Sequence, residues 1–225
     1  LRGVEINHMV AMGKGDYARP EFADSFFHQS LFVGASTREA VRDGRGDYIP
    51  VFFREIPKLF CEGYLPPDVA LIHVSPPDKH GYCSFGISVD YTKPAAEAAR
   101  TVIAQVNPNM PRTHGDSFIH LNQIDTIVES DQPIIELPPP RIGPVEEAIG
   151  RHIAGLVQDG ACLQLGIGGI PDAVLMFLHE KNDLGIHTEM FSEGVVDLYH
   201  EGVITNARKS FHPGKMVATF LMGTR

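Results

Sequence analysis

The chain has 225 residues, of which 43% are hydrophobic, so it contains enough apolar material for a sizeable core. Its 28 acidic and 19 basic residues give a formal net charge of -9, which argues against general binding to nucleic acid or to anionic membrane surfaces. The sequence lacks a run of about 18 apolar residues of the kind that forms a transmembrane helix, and we expect a globular, cytoplasmic protein.

The three cysteines give no sign of a disulfide framework or a metal site. Cys61, Cys83 and Cys162 are odd in number, lie far apart and form no C-x-x-C pair. Secreted disulfide scaffolds and zinc sites need paired, closely spaced cysteines. We therefore expect a reducing compartment and no metal.

The predicted elements alternate between apolar strands and helices along the whole chain. Several strands are continuous apolar runs, which are typical of parallel sheets covered by helices on both faces. The predicted strands are 4–10, 48–53, 69–74, 102–106, 126–128, 162–166, 185–187 and 216–221, and the predicted helices are 37–43, 91–100, 144–158 and 171–180. This order predicts an α/β fold with mostly parallel sheets flanked by helices.

A proline-dense segment, QPIIELPPPRIGP, is the best candidate for a domain boundary, since proline interrupts both helices and central strands. We predict a first α/β domain at 1–131, a linker at 132–144 and the start of a second domain at 145–225. Similar patterns at GVEINHM and DLGIHTEM suggest two related α/β units. The first unit lacks its opening elements, and we expect the chain to be a section of a longer protein, cut at both ends.

The most informative stretch, 161–197, reads as a strand, a glycine turn, a helix, a second strand and then an acid. The turn, LGIGGIP, contains Gly166, Gly168 and Gly169 with Gln164 just before it. It has neither dinucleotide-binding nor P-loop spacing. Its backbone N–H groups are suited to an anionic oxygen, or its glycines serve only to bring strand and helix close together. Both interpretations are open at this point.

Glu189 follows the second strand, in HTEMFSEG. Ligands of α/β sheets bind at the carboxyl ends of strands, so Glu189 and the turn are candidates for one site. A desolvated carboxylate there is suited to act as a nucleophile or general base. The alternative is a helix-capping acid, since Ser192 and Glu193 are suited to open a helix. A metal site on His187 and Glu189 is weaker, because no known ligand spacing is present.

Two further sets of residues are candidates for ligand contacts. The loop at 74–91 follows a strand and contains His80, Tyr82, Ser84 and Asp90, and ordinary loop packing is the competing explanation for each. Glycine-containing turns near the start of the chain present three basic residues that are either phosphate contacts or simply solvated: Lys14, Arg38 and Arg45.

At these residues the sequence resembles the acetyl-CoA hydrolase/transferase family, and within it the 4-hydroxybutyrate and butyrate:acetate CoA-transferases. The matching motifs stand in family order across the chain and include HMVAMGKGDY, VSPPDKHGYCSFGISVDYT, LQLGIGGIPDAV and GIHTEMFSEGVVDLYHEGVITN. The resemblance implies a CoA-transferase-like fold of two similar domains without a metal. It also implies that Glu189 is the acyl-accepting glutamate, and that the CoA-contacting turn is Gly166, Ile167, Gly168, Gly169 and Ile170.

The activity implied by the resemblance is transfer of CoA between a short-chain acyl-CoA and acetate or a similar carboxylate, through a glutamyl-CoA thioester on Glu189. Gln164 and the turn would stabilise the charged carbonyl oxygen, and water must be kept away from the intermediates. Coenzyme A and acyl-CoA are then substrates, no cofactor is bound permanently, and a homo-oligomer is expected. The alternatives are an acyl-CoA hydrolase and a non-catalytic CoA-binding protein.

Overall fold

The computed structural model describes residues 1–224, and the chain divides into two compact units, Leu1–Pro67 and Asp68–Arg225. The proline-dense segment lies within the second unit, and the domain boundary expected there stays a prediction. An α/β fold with mostly parallel sheets flanked by helices is confirmed.

The first unit is built on a three-stranded parallel sheet with the order β1-β2-β3. Gly46 lies so close to the neighbouring strand that an added Cβ would be 2.7 Å from the carbonyl oxygen of His28. The strands are β1 (Val4–His8), β2 (Phe26–Ser30) and β3 (Gly46–Tyr48), the α-helices are α1 (Arg38–Arg42) and α2 (Ile56–Cys61), and short 3-10 helices lie at Asp16–Ala18, Pro20–Phe22 and Phe53–Glu55.

The strand predictions for the first unit miss one strand and give wrong bounds for two others. The strand predicted at 48–53 ends at Tyr48, because Pro50 has no N–H group to continue a ladder, and Phe53 already begins a 3-10 helix. The central strand β2 was not predicted, because its second half, His28 to Ser30, is polar and yet buried in part. The strand predicted at 4–10 ends at His8.

The second unit opens with a parallel sheet of order β4-β6-β8 and a separate antiparallel pair, β5 with β7. Ile72, Val74 and Ala104 of this sheet form a buried core with Phe85 and Ile119. The elements are β4 (Val69–Val74), β5 (Tyr82–Ser84), α3 (Thr92–Ala98), β6 (Thr101–Val106), β7 (Phe118–His120) and β8 (Thr126–Glu129), with a 3-10 helix at Leu121–Gln123.

The remainder of the second unit contains the glycine turn and Glu189. Parallel pairs join β9 to β10 and β11 to β12, and single bridges join Leu184 to Ile204 and His187 to Val217. The elements are α4 (Pro144–Leu156), β9 (Cys162–Leu163), α5 (Gly169–Leu175), β10 (Gly185–Ile186), β11 (Met190–Phe191), α6 (Gly194–His200) and β12 (Phe220–Leu221).

Helices α4 and α5 cross at close range. Helix α4 begins with Pro144, and the side chain of Glu146 accepts a hydrogen bond of 3.0 Å from the N–H of Gly143. An added Cβ on Gly150 would be 2.7 Å from the backbone of Ala173 in α5, so only glycine permits this approach. The resulting core includes Leu175, Leu178, Leu184, Ile186 and Leu198.

Five predicted elements in this region have different bounds, among them the helix predicted at 144–158, which ends at Leu156, and the strand predicted at 185–187, which ends at Ile186. The helix predicted at 171–180 begins at Gly169 and ends at Leu175. The strands predicted at 162–166 and 216–221 are regular only at Cys162–Leu163 and Phe220–Leu221. Side-chain hydrogen bonds take the place of part of the backbone ladder beyond these short strands, and an apolar run in the sequence does not reveal that exchange.

Candidate functional site

The glycine turn has a backbone that only glycine adopts readily. Gly168 has φ 113° and ψ -178°, a combination that places a side chain in steric conflict with its own backbone. An added Cβ on Gly168 would nevertheless meet no other atom within 4 Å. The requirement for glycine is therefore conformational, and the space next to the turn is open.

The other two glycines of the turn differ from Gly168. Gly169 lies against the first turn of α4, where an added Cβ would be 3.2 Å from Cγ of Glu146. At Gly166 the nearest atom to an added Cβ would be Cγ of Pro171 at 3.9 Å, which is an ordinary contact. Close packing thus explains Gly169 but not Gly166 or Gly168.

The turn presents both apolar side chains and free backbone donors to its surroundings. Ile167 and Ile170 are 59% and 42% exposed, and Gln164 is exposed as well. Among residues 1–224, no acceptor is found for the N–H groups of Gly166, Ile167 or Gly168. A ligand with an apolar chain and a partly charged oxygen would satisfy both features.

The pairing of β9 with β10 places Glu189 beside this turn. Gly185 pairs with Cys162 and Ile186 with Leu163, an offset of 23 positions. Beyond the regular strand, the Thr188 hydroxyl accepts from the N–H of Leu165 and donates to its carbonyl, both at 2.9 Å. These bonds keep the offset of 23 positions, and the same offset carried one residue further predicts that Glu189 lies beside Gly166.

The backbone of Glu189 is fixed from its other side by the chain near β12. Its carbonyl oxygen accepts from the N–H of Thr219 at 2.9 Å, from the Thr219 hydroxyl at 2.7 Å and from the N–H of Phe220 at 3.3 Å. Thr188 and Met190 on either side of Glu189 are buried. The backbone that carries Glu189 is therefore held on two sides.

The Glu189 side chain itself is exposed. Among the described residues, no hydrogen bond or ion pair engages its carboxylate. The expectation of a site closed to water is not met within this chain, because the described residues do not cover the side chain. The arrangement provides an unpaired carboxylate on a rigid backbone, next to a turn with free N–H donors.

A helix does begin directly after Ser192 and Glu193, as the alternative for this segment expected. Helix α6 begins at Gly194, but no side chain caps it. Glu193 instead accepts a hydrogen bond from the Thr224 hydroxyl with one oxygen, and its other oxygen is buried without a partner among the described residues. Within residues 1–224 no three His, Cys, Asp or Glu side chains are grouped closely enough to hold a metal ion.

The C-terminal end of the 74–91 loop contacts the same segment near β12 that bonds to the Glu189 backbone. The N–H of Val89 donates to the carbonyl of Thr219 at 3.0 Å, and Ser88 bridges to Phe220 in antiparallel fashion. Of its predicted contact residues, Ser84 is buried, and Asp90 accepts from the N–H of Thr92 at the start of α3. These two therefore have structural roles.

The other end of this loop is held by Asp78. Its carboxylate accepts from the N–H groups of Tyr82 and His80 and pairs with Arg112 at 2.7 Å. These contacts, with the Tyr82 N–H contributing most, lower the pKa of Asp78 below its ordinary value. Tyr82 is 45% exposed. Asp78 therefore stays ionised and fixes the loop, a role that the sequence analysis did not assign.

The predicted phosphate contacts of the first unit behave differently from one another. Lys14 and Arg38 are exposed. Arg45 donates to the carbonyl of Ala18 and pairs with Asp43 at 3.2 Å. Arg45 therefore holds its own turn together and is not a solvated residue.

The first unit also contains a buried polar cluster that the sequence analysis missed. The rings of His8 and His28 lie 4.5 Å apart, and a ring nitrogen of His8 bonds to the hydroxyl of Tyr17. Burial lowers the pKa of His8, and burial followed by the charge of His8 lowers that of His28. Both imidazoles are therefore neutral near pH 7. Alternation of polar and apolar residues in GVEINHM gave no signal for this cluster.

No helix in the part of the chain that the structure describes has the length and apolar character needed to cross a membrane. The model of the acetyl-CoA hydrolase/transferase N-terminal domain matches residues 1–138. The 4-hydroxybutyrate coenzyme A transferase of Clostridium kluyveri is 63% identical over 223 residues, which cover 99% of this chain and 52% of that protein.

A second relative and a solved structure agree with this match. The succinyl-CoA:cyclohexane-1-carboxylate CoA transferase of Geobacter metallireducens is 48% identical over 224 residues, covering 100% of this chain and 51% of that protein. The crystal structure of RipA from Yersinia pestis has a TM-score of 0.94 at 39% identity, covering 100% of this chain and 54% of that chain. The chain spans about half the length of the curated relatives it matches. It belongs to the acetyl-CoA hydrolase/transferase family.

Proposed function

We propose that the protein is a CoA-transferase that moves CoA between a short-chain acyl-CoA and acetate or a similar carboxylate, with Glu189 as the acyl-accepting nucleophile. The observation that carries the proposal is the bond between Thr188 and Leu165, the residues directly before Glu189 and before Gly166 of the glycine turn. The relatives that are named CoA transferases support it.

The reaction needs one carboxylate and no external oxidant or reductant. A Glu189 oxygen attacks the thioester carbonyl carbon, the C–S bond breaks, and CoA leaves as the thiolate, which gives a mixed anhydride. The thiolate then attacks the Glu189 carbonyl carbon, so the donor acid leaves with the bridging oxygen and a glutamyl-CoA thioester remains. The acceptor carboxylate repeats both steps in reverse order and restores Glu189.

The glycine turn has the groups that each attack requires. Every attack builds negative charge on a carbonyl oxygen, and the N–H groups of Gly166, Ile167 and Gly168 are free to donate to it. The exposed amide of Gln164 lies on the same segment and supplies a further donor. Removing one such donor from an enzyme typically costs about 3 kcal/mol of transition-state stabilisation.

The exposed side chains of Ile167 and Ile170 give the turn an apolar rim. We assign this rim, with Gly169, to the chain of the CoA substrate that leads to the thioester. Contacts with this remote part of the substrate then supply binding energy that is used at the reacting carbonyl. CoA and acyl-CoA are substrates here, and the mechanism calls on no permanently bound cofactor.

Exclusion of water from the covalent intermediates is the requirement that this chain does not meet alone. Glu189 is exposed, and the relatives are about twice as long as this chain. We propose that residues outside 1–225, from the same polypeptide or from a second subunit of a homo-oligomer, cover Glu189 during turnover. Hydrolysis of the acyl-CoA is the competing function, and the exposure of Glu189 is the observation that favours it.

Trapping of the intermediate tests the proposal on the complete polypeptide. The enzyme is incubated with acyl-CoA, treated with hydroxylamine or borohydride, and analysed by peptide mass spectrometry. We expect modification of Glu189, none in Glu189→Gln, and normal modification in the control Glu180→Gln, which replaces another exposed glutamate. An active enzyme with an unmodified Glu189 contradicts the proposal.

The rate of thiol release with and without added acetate separates the two activities. Transfer predicts release of free thiol only slowly and formation of acetyl-CoA when acetate is present. Hydrolysis predicts equal thiol release in both conditions. A non-catalytic CoA-binding protein predicts no turnover at all and an affinity for CoA that Glu189→Gln leaves unchanged.

A further inference from the structure

The loop at 206–215 holds the strand that leads to Glu189 at two residues, and the first contact is the N–H of Asn206, which donates to the carbonyl of Leu184 at 3.0 Å. The Asn206 side-chain oxygen accepts from the N–H of Ile186 at 2.9 Å. The Lys209 ammonium donates to the carbonyl of Ile186 at 2.7 Å. Ile186, Asn206 and Lys209 are all buried. Two side chains from one loop thus take both backbone polar groups of Ile186.

Lys209 is an unusual group in this position. Its ammonium also donates to the carbonyl of Lys215, and no carboxylate pairs with it among the described residues. Burying an unpaired charge is costly unless hydrogen bonds satisfy it, and here carbonyl groups serve that purpose. The stem of Lys209 lies over Gly185, where an added Cβ would be 2.6 Å from its Cγ.

The backbone of the loop is strained, which indicates that its shape is enforced. Asn206 and His212 have φ angles of 59° and 50°, in the left-handed region that residues other than glycine rarely occupy. The N–H of Gly214 donates to the carbonyl of Asn206 at 2.9 Å and closes the loop. Strain of this kind persists only where surrounding contacts determine the conformation, and it is concentrated at functional positions.

The loop also sets where the next segment meets Glu189. The chain leaves the loop at Lys215, Val217 then pairs with His187, and Thr219 donates to the Glu189 carbonyl. Ile186 lies three positions before Glu189, about 10 Å along an extended chain. A change in how the loop holds Ile186 is therefore transmitted to Glu189 along both segments.

We infer that Asn206 and Lys209 are positioning residues that fix Glu189 in register with the glycine turn. The inference rests on the proposed role of Glu189. If these side chains are removed, the 186–191 segment keeps its bonds to Leu163, Leu165 and Val217 but loses the two side-chain bonds at Ile186, so it is held less firmly, while the groups that bind CoA on the turn stay in place. The loss is thus expected in kcat and not in KM.

The test compares variants of the complete polypeptide. Lys209→Met keeps the apolar stem without the ammonium, Lys209→Arg keeps a donor, and Lys215→Met removes an exposed lysine of the same loop as a matched control. Asn206→Gly keeps access to positive φ without the amide, and Asn206→Asp keeps the acceptor. For each, kcat and KM for acyl-CoA are measured per folded molecule, with hydrogen exchange of the peptide spanning 186–191.

We expect Lys209→Met and Asn206→Gly to lower kcat about 10²-fold, as a displacement of about 1 Å does in other enzymes. KM should change less than about threefold. The conservative variants should recover part of the rate, and Lys215→Met should match the wild type. Hydrogen exchange at 186–191 should accelerate only in the two disruptive variants.

Unchanged kcat and unchanged exchange at 186–191 in the disruptive variants overturn the inference. So does a rate loss that disappears when activity is expressed per folded molecule. If Lys209→Met does not fold, the Asn206 pair decides the question. Failure of the proposed function is recognised separately, because the wild type would then show no trapped Glu189, whereas the exchange measurement does not depend on turnover.

Discussion

The glycine turn and the segment that carries Glu189 lie side by side but are held in different ways. The turn is shaped locally by the conformation of Gly168, and within the described residues no acceptor is found for the N–H groups of Gly166 to Gly168. The 186–191 segment is fixed by bonds from Leu163 and Leu165 on one side and from the chain between Asn206 and Met222 on the other. This contrast teaches that the backbone of the proposed nucleophile is held in place, while the groups proposed to bind the substrate are left available.

The largest effect is expected from Glu189→Gln, since it removes the proposed nucleophile and leaves the backbone bonds in place. We predict a loss of at least about 10³-fold in kcat. Steady-state kinetics with acyl-CoA and acetate measures it, with Glu180→Gln as the control. Retention of most of the rate would show that the carboxylate is not the reacting group.

Gly168→Ala tests whether the shape of the glycine turn is set locally by the conformation of Gly168. Because φ at Gly168 is 113°, the new side chain strains the turn and should lower the free energy of unfolding by about 1 to 3 kcal/mol. Gly166→Ala should lower the free energy of unfolding clearly less, because an added Cβ there would meet its nearest neighbour at 3.9 Å. Chemical denaturation measures both, and equal effects would refute a conformational requirement at Gly168.

Thr188→Val breaks the bond between the two regions. The N–H of Leu165 then loses its buried acceptor, which should lower the free energy of unfolding by about 1 to 3 kcal/mol. Thr188→Ser retains the hydroxyl and should preserve most of the stability. Denaturant titrations of the pair provide the test, and equal stability of the two variants would mean that the hydroxyl bond contributes nothing.

Thr219→Val should have the smallest effect. It removes the hydroxyl donor to the Glu189 carbonyl but leaves the N–H donors of Thr219 and Phe220. Because Thr219 is exposed and the carbonyl keeps partners, we expect a stability loss of about 1 kcal/mol or less. A loss as large as that in Thr188→Val, measured in the same titration, would reverse the relative importance of the two sides.

The sequence predicted the elements whose causes are local. The strand at 69–74 and the start of α4 at Pro144 agree with the structure because apolar runs and a helix-opening proline act at short range. The roles of the turn and Glu189 rest on the family resemblance and stay predictions. The strand prediction at 48–53 was wrong because it followed the apolar residues there and gave too little weight to Pro50.

The parts that the sequence did not reveal depend on contacts between distant residues. Side-chain bonds across 20 or more positions take the place of backbone pairing at Thr188, Asn206 and Lys209. The local sequences HTEM and NARK give no indication of these bonds. The polar strand β2 is buried for a similar reason, since its neighbours β1 and β3 lie far away in sequence. The exposure of Glu189 likewise depends on what surrounds it in space.

Transfer of heavy oxygen into Glu189 tests the central claim most directly. In the proposed reaction, the bridging oxygen of the acceptor carboxylate stays on Glu189 when the new acyl-CoA leaves. Turnover of the complete polypeptide with acyl-CoA and ¹⁸O-labelled acetate should therefore place ¹⁸O in the peptide that contains Glu189 and in no other glutamate. Full turnover without label in that peptide would contradict the account.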